Sequence, residues 1–215
     1  MASDLELAEL MAARLCHDLV GPIGAVANGV ELLGEGGAPD PEVTSLIAAS
    51  ARQATRRLQW FRIAFGSGNA LPASSILAET RRLASGLFED GRATLDWPAP
   101  DSASEALATR GAAKLLLNIV LLGLESLPRG GAVTVQVAVR GGGLGIAVTA
   151  KGTGARVPDD MQAALRSGVA VGDLTPKSVP AYLALRLAEA NRAKLTVETP
   201  GPDSVAFRVE LPAAA

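Results

Sequence analysis

Arg14-Leu15-Cys16-His17-Asp18-Leu19-Val20-Gly21-Pro22 holds the only histidine in the chain, with an acid directly after it and a proline five positions on. Around it, Leu5, Ala8, Ala12, Leu15, Leu19, Ile23, Val26, Val30 and Leu33 recur in steps of three and four. That spacing predicts an amphipathic helix with one buried stripe. At about 100° per residue His17 lies about 200° from Leu15, away from the stripe, so its imidazole is expected to face solvent. Its helical neighbours Ala13, Arg14, Val20 and Gly21 are mostly small and leave room for another protein to approach. A metal site is not expected, because there is no second histidine and Cys16 lies about 100° round the helix, whereas a site needs three or four converging ligands. No G-x-S-x-G motif supports a serine triad. Two readings stay open: an ordinary solvated histidine, or a nucleophile whose ring Asp18 orients. Asp18 and Arg14 each have a plain alternative as helix-surface charges. Gly21 and Gly24 cost helix stability, which either helix packing or clearance for a partner explains.

The composition narrows the class. Of 215 residues, 48% are apolar but only 3% aromatic, so the core must be built from Ala, Leu and Val. A net charge of −2 and a pI near 5.5 argue against nucleic-acid binding, which normally carries a basic excess. One cysteine excludes an internal disulfide framework and fits a reducing compartment. The N-terminus lacks the layout of a signal peptide, and no uninterrupted apolar run reaches about 18 residues. The expectation is a soluble, cytoplasmic protein without a membrane span.

Outward from the histidine, the first helix is expected to start at Ser3 or Asp4, with Ser3 as N-cap. Pro22 should kink it, and Gly34 should end it before a turn through Pro41. A second helix from about Pro41 to Phe65 places Val43, Ile47, Ser50, Ala54, Leu58, Phe61 and Phe65 on one face. Such an αα-hairpin cannot hide both stripes by itself, whereas two copies can as a four-helix bundle, so a homodimer is expected. Gly66-Ser67-Gly68-Asn69 reads as a boundary, dividing a hairpin over residues 1–68 from a second part over 69–215. In that second part helices are expected near Pro72–Glu89, Ala108–Leu127, Asp159–Ser167 and Ser178–Asn191. Strands are expected at Ala93–Trp97, Val133–Arg140, Leu144–Ala150, Leu195–Glu198 and Val205–Leu211. Val133–Arg140 alternates with period two and is the clearest strand. Gly141-Gly142-Gly143 reads as a hairpin turn, since no helix follows it as in a phosphate-binding loop. The fold class is α+β: helices over a mostly antiparallel sheet, behind a dimerising hairpin.

This order of elements resembles the cytoplasmic half of a bacterial sensor histidine kinase, in which a dimerising hairpin precedes a Bergerat/GHKL-type α/β sandwich. His17-Asp18-Leu19-Val20-Gly21-Pro22 is similar to the kinase H-box. The nucleotide boxes depart from the pattern. Asn118 is followed four residues later by Leu122, which cannot ligate a hard cation. Ala150-Lys151-Gly152-Thr153-Gly154 has Ala150 where the adenine-recognising Asp would stand. Ser178-Val179-Pro180-Ala181-Tyr182 has Ser and Pro in place of glycines that cradle phosphates.

A dimer that keeps the histidine and loses these boxes is similar to the ChpT-type histidine phosphotransferases. The run Leu15–Ala25, followed by Asn28-Gly29 and Glu31-Leu32-Leu33, carries that likeness. The resemblance implies a phosphorelay in which the receiver domain of a CckA-type hybrid histidine kinase phosphorylates His17. CtrA- and CpdR-type response regulators would then receive the group. It implies His17 and Asp18 as catalytic residues, and Ala13, Arg14, Val20, Gly21 and Gly24 against the partner, with Arg14 helping to neutralise the phosphoryl charge. No cofactor is expected, since Mg²⁺ would come from the receiver. Two alternatives remain at this point: a diverged but active ATP-dependent kinase, and a non-enzymatic docking protein for receiver domains.

Overall fold

The computed structural model describes residues 2–34, 40–66, 75–89, 91–98, 111–140 and 143–212. Among the described residues six α-helices are seen: α1 (Ala2–Gly34), α2 (Pro41–Ala64), α3 (Ile76–Gly86), α4 (Ala112–Glu125), α5 (Asp159–Ala164) and α6 (Val179–Ala190). Five strands accompany them: β1 (Ala93–Asp96), β2 (Gly131–Arg140), β3 (Gly143–Lys151), β4 (Leu195–Gly201) and β5 (Ser204–Leu211). The expected domain boundary at 68/69 lies outside the described residues, as does most of the turn after Gly34.

Helix α4 sets the layers. Leu115, Leu116, Leu117, Ile119, Val120 and Leu122 are all fully buried, so this helix is apolar on every side and has to be covered all round. Beneath it lies the sheet, in the order β1-β2-β3-β5-β4. β1 pairs parallel to β2, and every other pairing is antiparallel. The register aligns Val133, Val135 and Val137 of β2 with Ala150, Val148 and Ile146 of β3. All six turn towards the helices and are buried, the period-two pattern that the sequence displays. Gly123 lets α4 come down onto the sheet, where an added Cβ would press on Val148 and Val133. On its other sides α4 meets α2, α3 and α6.

Helix α2 opens with Asp40 as N-cap, its carboxylate accepting from the Glu42 amide at 2.8 Å, and with Pro41 at the first position. Its far end joins the core of the second half. Trp60, Phe61, Ile63, Ala64 and Phe65 belong to the same buried cluster as α4 and the sheet. Trp60 also meets Phe61 and Phe65 edge-on, with ring centroids 5.3 and 5.4 Å apart. The described hairpin and sandwich therefore share one core.

Helix α1 corrects the expected N-cap. It starts at Ala2, so Ser3 lies in the first turn rather than capping it, and it runs through Pro22 without interruption. The apolar stripe is not buried within one chain: Leu5 (63%), Ile23 (52%) and Val30 (55%) stand exposed. What α1 packs inward is the edge of the stripe at Leu15 and the residues beside it. Leu10, Met11 and Leu15 reach the core, Arg14 is buried, and at Gly29 the helix crosses α2 so closely that a side chain would strike Ile47. Among the described helices α1 alone is long and apolar enough to cross a bilayer. Its middle is instead docked on the protein's own core through Arg14.

Trp60→Ala is expected to cost about 3–5 kcal/mol. Because the core is shared, urea should melt helix and sheet signals of this variant in a single earlier transition. Early loss of the α1–α2 helical signal alone would contradict a common core.

Candidate functional site

His17 sits midway along α1 with its side chain 67% exposed, while Asp18 beside it is only 11% exposed. The imidazole leans back so that Nδ1 is 3.0 Å from Asp18 Oδ1. A carboxylate only accepts, so in the neutral ring this contact assigns the proton to Nδ1 and leaves the Nε2 lone pair free.

Asp18 is itself held. Arg14, one turn earlier, donates from Nε to Asp18 Oδ2 at 2.9 Å, and Arg57 of α2 brings a guanidinium nitrogen to 3.8 Å from the same oxygen. From its far end Arg14 donates through Nη2 to Glu125 Oε1 at 2.6 Å, and through Nη1 to the Lys177 carbonyl at 3.4 Å. Burial pushes the Glu125 carboxyl up from its ordinary range against the pull of Arg14, and Asp18 and Asp160 add to the push. Burial alone would depress Arg14, but Glu125 and Asp18 outweigh it and hold the guanidinium above its usual value. The planar fork of an arginine suits this bridging, because its donors reach separate acceptors in one plane.

Beside this chain of contacts opens a cavity of about 400 Å³, with His17 on its wall together with Arg14, Asp18, Glu125, Asp160 and Lys177. Both halves of the chain therefore meet at the histidine.

Of the remaining residues singled out in the sequence, Ala13 and Val20 are exposed. A Cβ added at Gly21 or Gly24 meets nothing within 4 Å, so packing inside the protomer does not demand either glycine. Arg14 is buried between two carboxylates, not a helix-surface charge, and lines the cavity beside His17.

The positions of the nucleotide boxes have local roles. Asn118 is fully buried, its amide nitrogen donating to the Ala64 carbonyl at 3.0 Å and to the Lys114 carbonyl at 2.9 Å, which ties the end of α2 to α4. Leu122 and Ala150 are fully buried in the core. At Gly152 a side chain would run into the Gly130 carbonyl, and Gly154 adopts φ +74° with its amide donating to Asp203 at 2.7 Å. The Ser178 hydroxyl accepts from the Thr175 amide at 2.9 Å at the start of α6.

Residues 77–203 match the histidine phosphotransferase C-terminal domain. Protein phosphotransferase ChpT of Brucella abortus (strain 2308) is 35% identical over 204 residues, which cover 94% of this chain and 95% of that protein. The chain belongs to the histidine phosphotransferase family. A solved bacterial phosphotransferase superposes with a TM-score of 0.76 at 31% identity, covering 95% of this chain and 96% of that one. As a histidine phosphotransferase the chain works within a phosphorelay, moving a phosphoryl group between receiver-bearing proteins of two-component signalling.

Sequence reasoning missed Glu125, Asp160, Lys177 and Arg57. One signal for Glu125 was on the page: apart from Lys114 it is the sole charged residue of α4, closing an otherwise apolar run.

Arg14→Ala removes the cation between two partly buried carboxylates and is expected to cost about 3 kcal/mol at neutral pH, read from the urea midpoint. In the variant the folded-state pKa of Glu125, already raised, loses the opposing pull of Arg14. The native state then binds more protons than the unfolded one, so the penalty should shrink as pH falls through that raised value. A pH-independent penalty would contradict the assignment of the charges.

Proposed function

We propose that His17 is the phosphoacceptor of this phosphotransferase. The observation that carries the reading is that a protein of a histidine phosphotransferase family has one histidine in 215 residues, and that its Nε2 is free while Nδ1 rests on Asp18. The donor is the receiver domain of a CckA-type hybrid kinase, and the acceptors are CtrA- and CpdR-type response regulators. Nε2 attacks the phosphorus of the receiver's aspartyl phosphate, the P–O bond breaks, and its electron pair stays on the aspartate carboxylate. The ring keeps its Nδ1 proton and becomes cationic, so the hydrogen bond to Asp18 strengthens as charge develops. The reverse attack by a second aspartate restores the neutral ring, and no proton need leave at either step. Alignment and charge neutralisation dominate such transfers, and the receiver brings the Mg²⁺.

No nucleotide enters this scheme. In support, Leu122 and Ala150 are buried where a kinase would contact Mg²⁺ and adenine, and the Asn118 amide nitrogen is spent on backbone carbonyls. Gly152 and Gly154 answer to local backbone demands.

The working unit is a homodimer. Leu5, Ile23, Val30 and Leu33 of α1, with Leu46 and Leu58 of α2, leave apolar side chains exposed along the hairpin, more than a monomer usually leaves uncovered. A second copy covers this surface as a four-helix bundle. Ala13, Val20, Gly21 and Gly24 provide clearance for the receiver.

Purified protein incubated with a labelled phosphorylated receiver and Mg²⁺ should become labelled, and His17→Gln should abolish the label. Transfer retained by that variant would sink the assignment, and labelling from ATP alone would make the protein a kinase. For the dimer, Ile23→Arg is expected to halve the mass seen by sedimentation. An unchanged mass, or a wild-type monomer, would remove the bundle.

A further inference from the structure

We propose that Glu125, from the central helix of the second half, is a positioning residue for phosphotransfer that acts through Arg14 and Asp18 to keep the imidazole of His17 in its reactive tautomer. The inference rests on His17 being the phosphoacceptor.

The geometry is a division of acceptors. Arg14 places Nε on Oδ2 of Asp18 and Nη2 on Oε1 of Glu125, and the other Asp18 oxygen, Oδ1, is left for Nδ1 of His17. Arg57, the only other cation within ion-pair distance of Asp18 among the described residues, also approaches Oδ2. Asp160 and Lys177 line the same cavity, and the Lys177 carbonyl takes the remaining Arg14 contact. Every observed cation contact to Asp18 thus falls on one oxygen, and the histidine has the other.

Glu125 maintains that division. A guanidinium facing a single carboxylate prefers to engage both of its oxygens in a forked pair. Glu125 draws the far end of Arg14 away and blocks that rotation. Without it, Arg14 turns onto both oxygens of Asp18, and Nδ1 of His17 loses its acceptor. Free neutral imidazole favours the proton on Nε2, the atom that must attack. The ring would then have to shed or relocate that proton before transfer. The sandwich half, with no nucleotide in the scheme, thereby takes part in the chemistry through Arg14 and Asp18.

The chain's single histidine makes the test direct, because ¹⁵N imidazole signals have one source. At a pH where the ring is neutral, the wild-type protein should show Nδ1 protonated and Nε2 bare. Glu125→Met, which fills similar space without an acceptor, should shift the spectrum towards the Nε2–H form. It should also slow transfer from a phosphorylated receiver by ~10–100-fold, the usual effect of removing a group that orients a reactive imidazole. Glu125→Gln, which keeps the acceptor and loses the charge, should fall between the two.

A folded Glu125→Met protein with the wild-type spectrum overturns the proposal, whether or not its transfer slows. So does a wild-type spectrum dominated by Nε2–H, a result that needs no variant to fold. Transfer that survives in His17→Gln instead overturns the phosphoacceptor reading beneath it, so the two failures are separable.

Discussion

A guanidinium taken out of water costs several kcal/mol unless its donors find anionic partners in good geometry. Arg14 is in that position, with Asp18 on its own helix and Glu125 on α4 satisfying it from opposite ends. Much of the arrangement follows from this one pairing. It fixes which face of α1 turns inward and therefore which apolar stripe is left outside. It brings the middle of α1 against the end of the most deeply buried helix, and it holds the carboxylate on which the histidine leans. Of the stripe, Leu15 lies against the core while Leu5, Ile23 and Val30 stand outside.

In the sandwich half, the positions that the sequence sets beside nucleotide boxes serve the fold. Asn118 laces α2 to α4, Ala150 and Leu122 fill the core, and Gly152 allows the end of β3 to pass the Gly130 carbonyl. Such positions are constrained even without a ligand. A shared cluster running from Trp60 to Leu211 ties this half to the hairpin. Part of the hairpin's own stability is lodged in the sandwich, so discarding the second half would uncover the end of α2.

Much of this was legible in the sequence, for reasons that differ between elements. The β2 strand announced itself because Val133, Val135 and Val137 alternate with polar or small residues, and a strand with one buried face needs that alternation. The exposure of His17 followed from helical geometry alone, and the hairpin from two apolar stripes with a proline-rich turn between them. The partners of Arg14 were not legible. Glu125 lies 111 residues away, and periodicity treats each helix as though its neighbours were featureless apolar walls. The burial of Arg14 was hidden on the same ground, since a stripe rule ranks Leu above Arg and has no means of anticipating a buried ion pair. The parallel pairing of β1 with β2 is likewise a long-range fact, set by how the chain returns across α4 rather than by any local pattern.

The acids around the histidine bear on how long a phosphate would stay there. Asp18, Glu125 and Asp160 gather at one cavity with His17, and Arg14 is already engaged by two of them. A phosphoryl group on Nε2 would bring a charge near −2 into this company at neutral pH, where three acids outnumber the two cations on the cavity wall, Arg14 and Lys177, the first of them already paired. A phosphohistidine formed there would be a poor resting place, and the group would leave readily for an acceptor that docks with a metal ion in hand. A basic pocket in the same place would turn a relay into a sink.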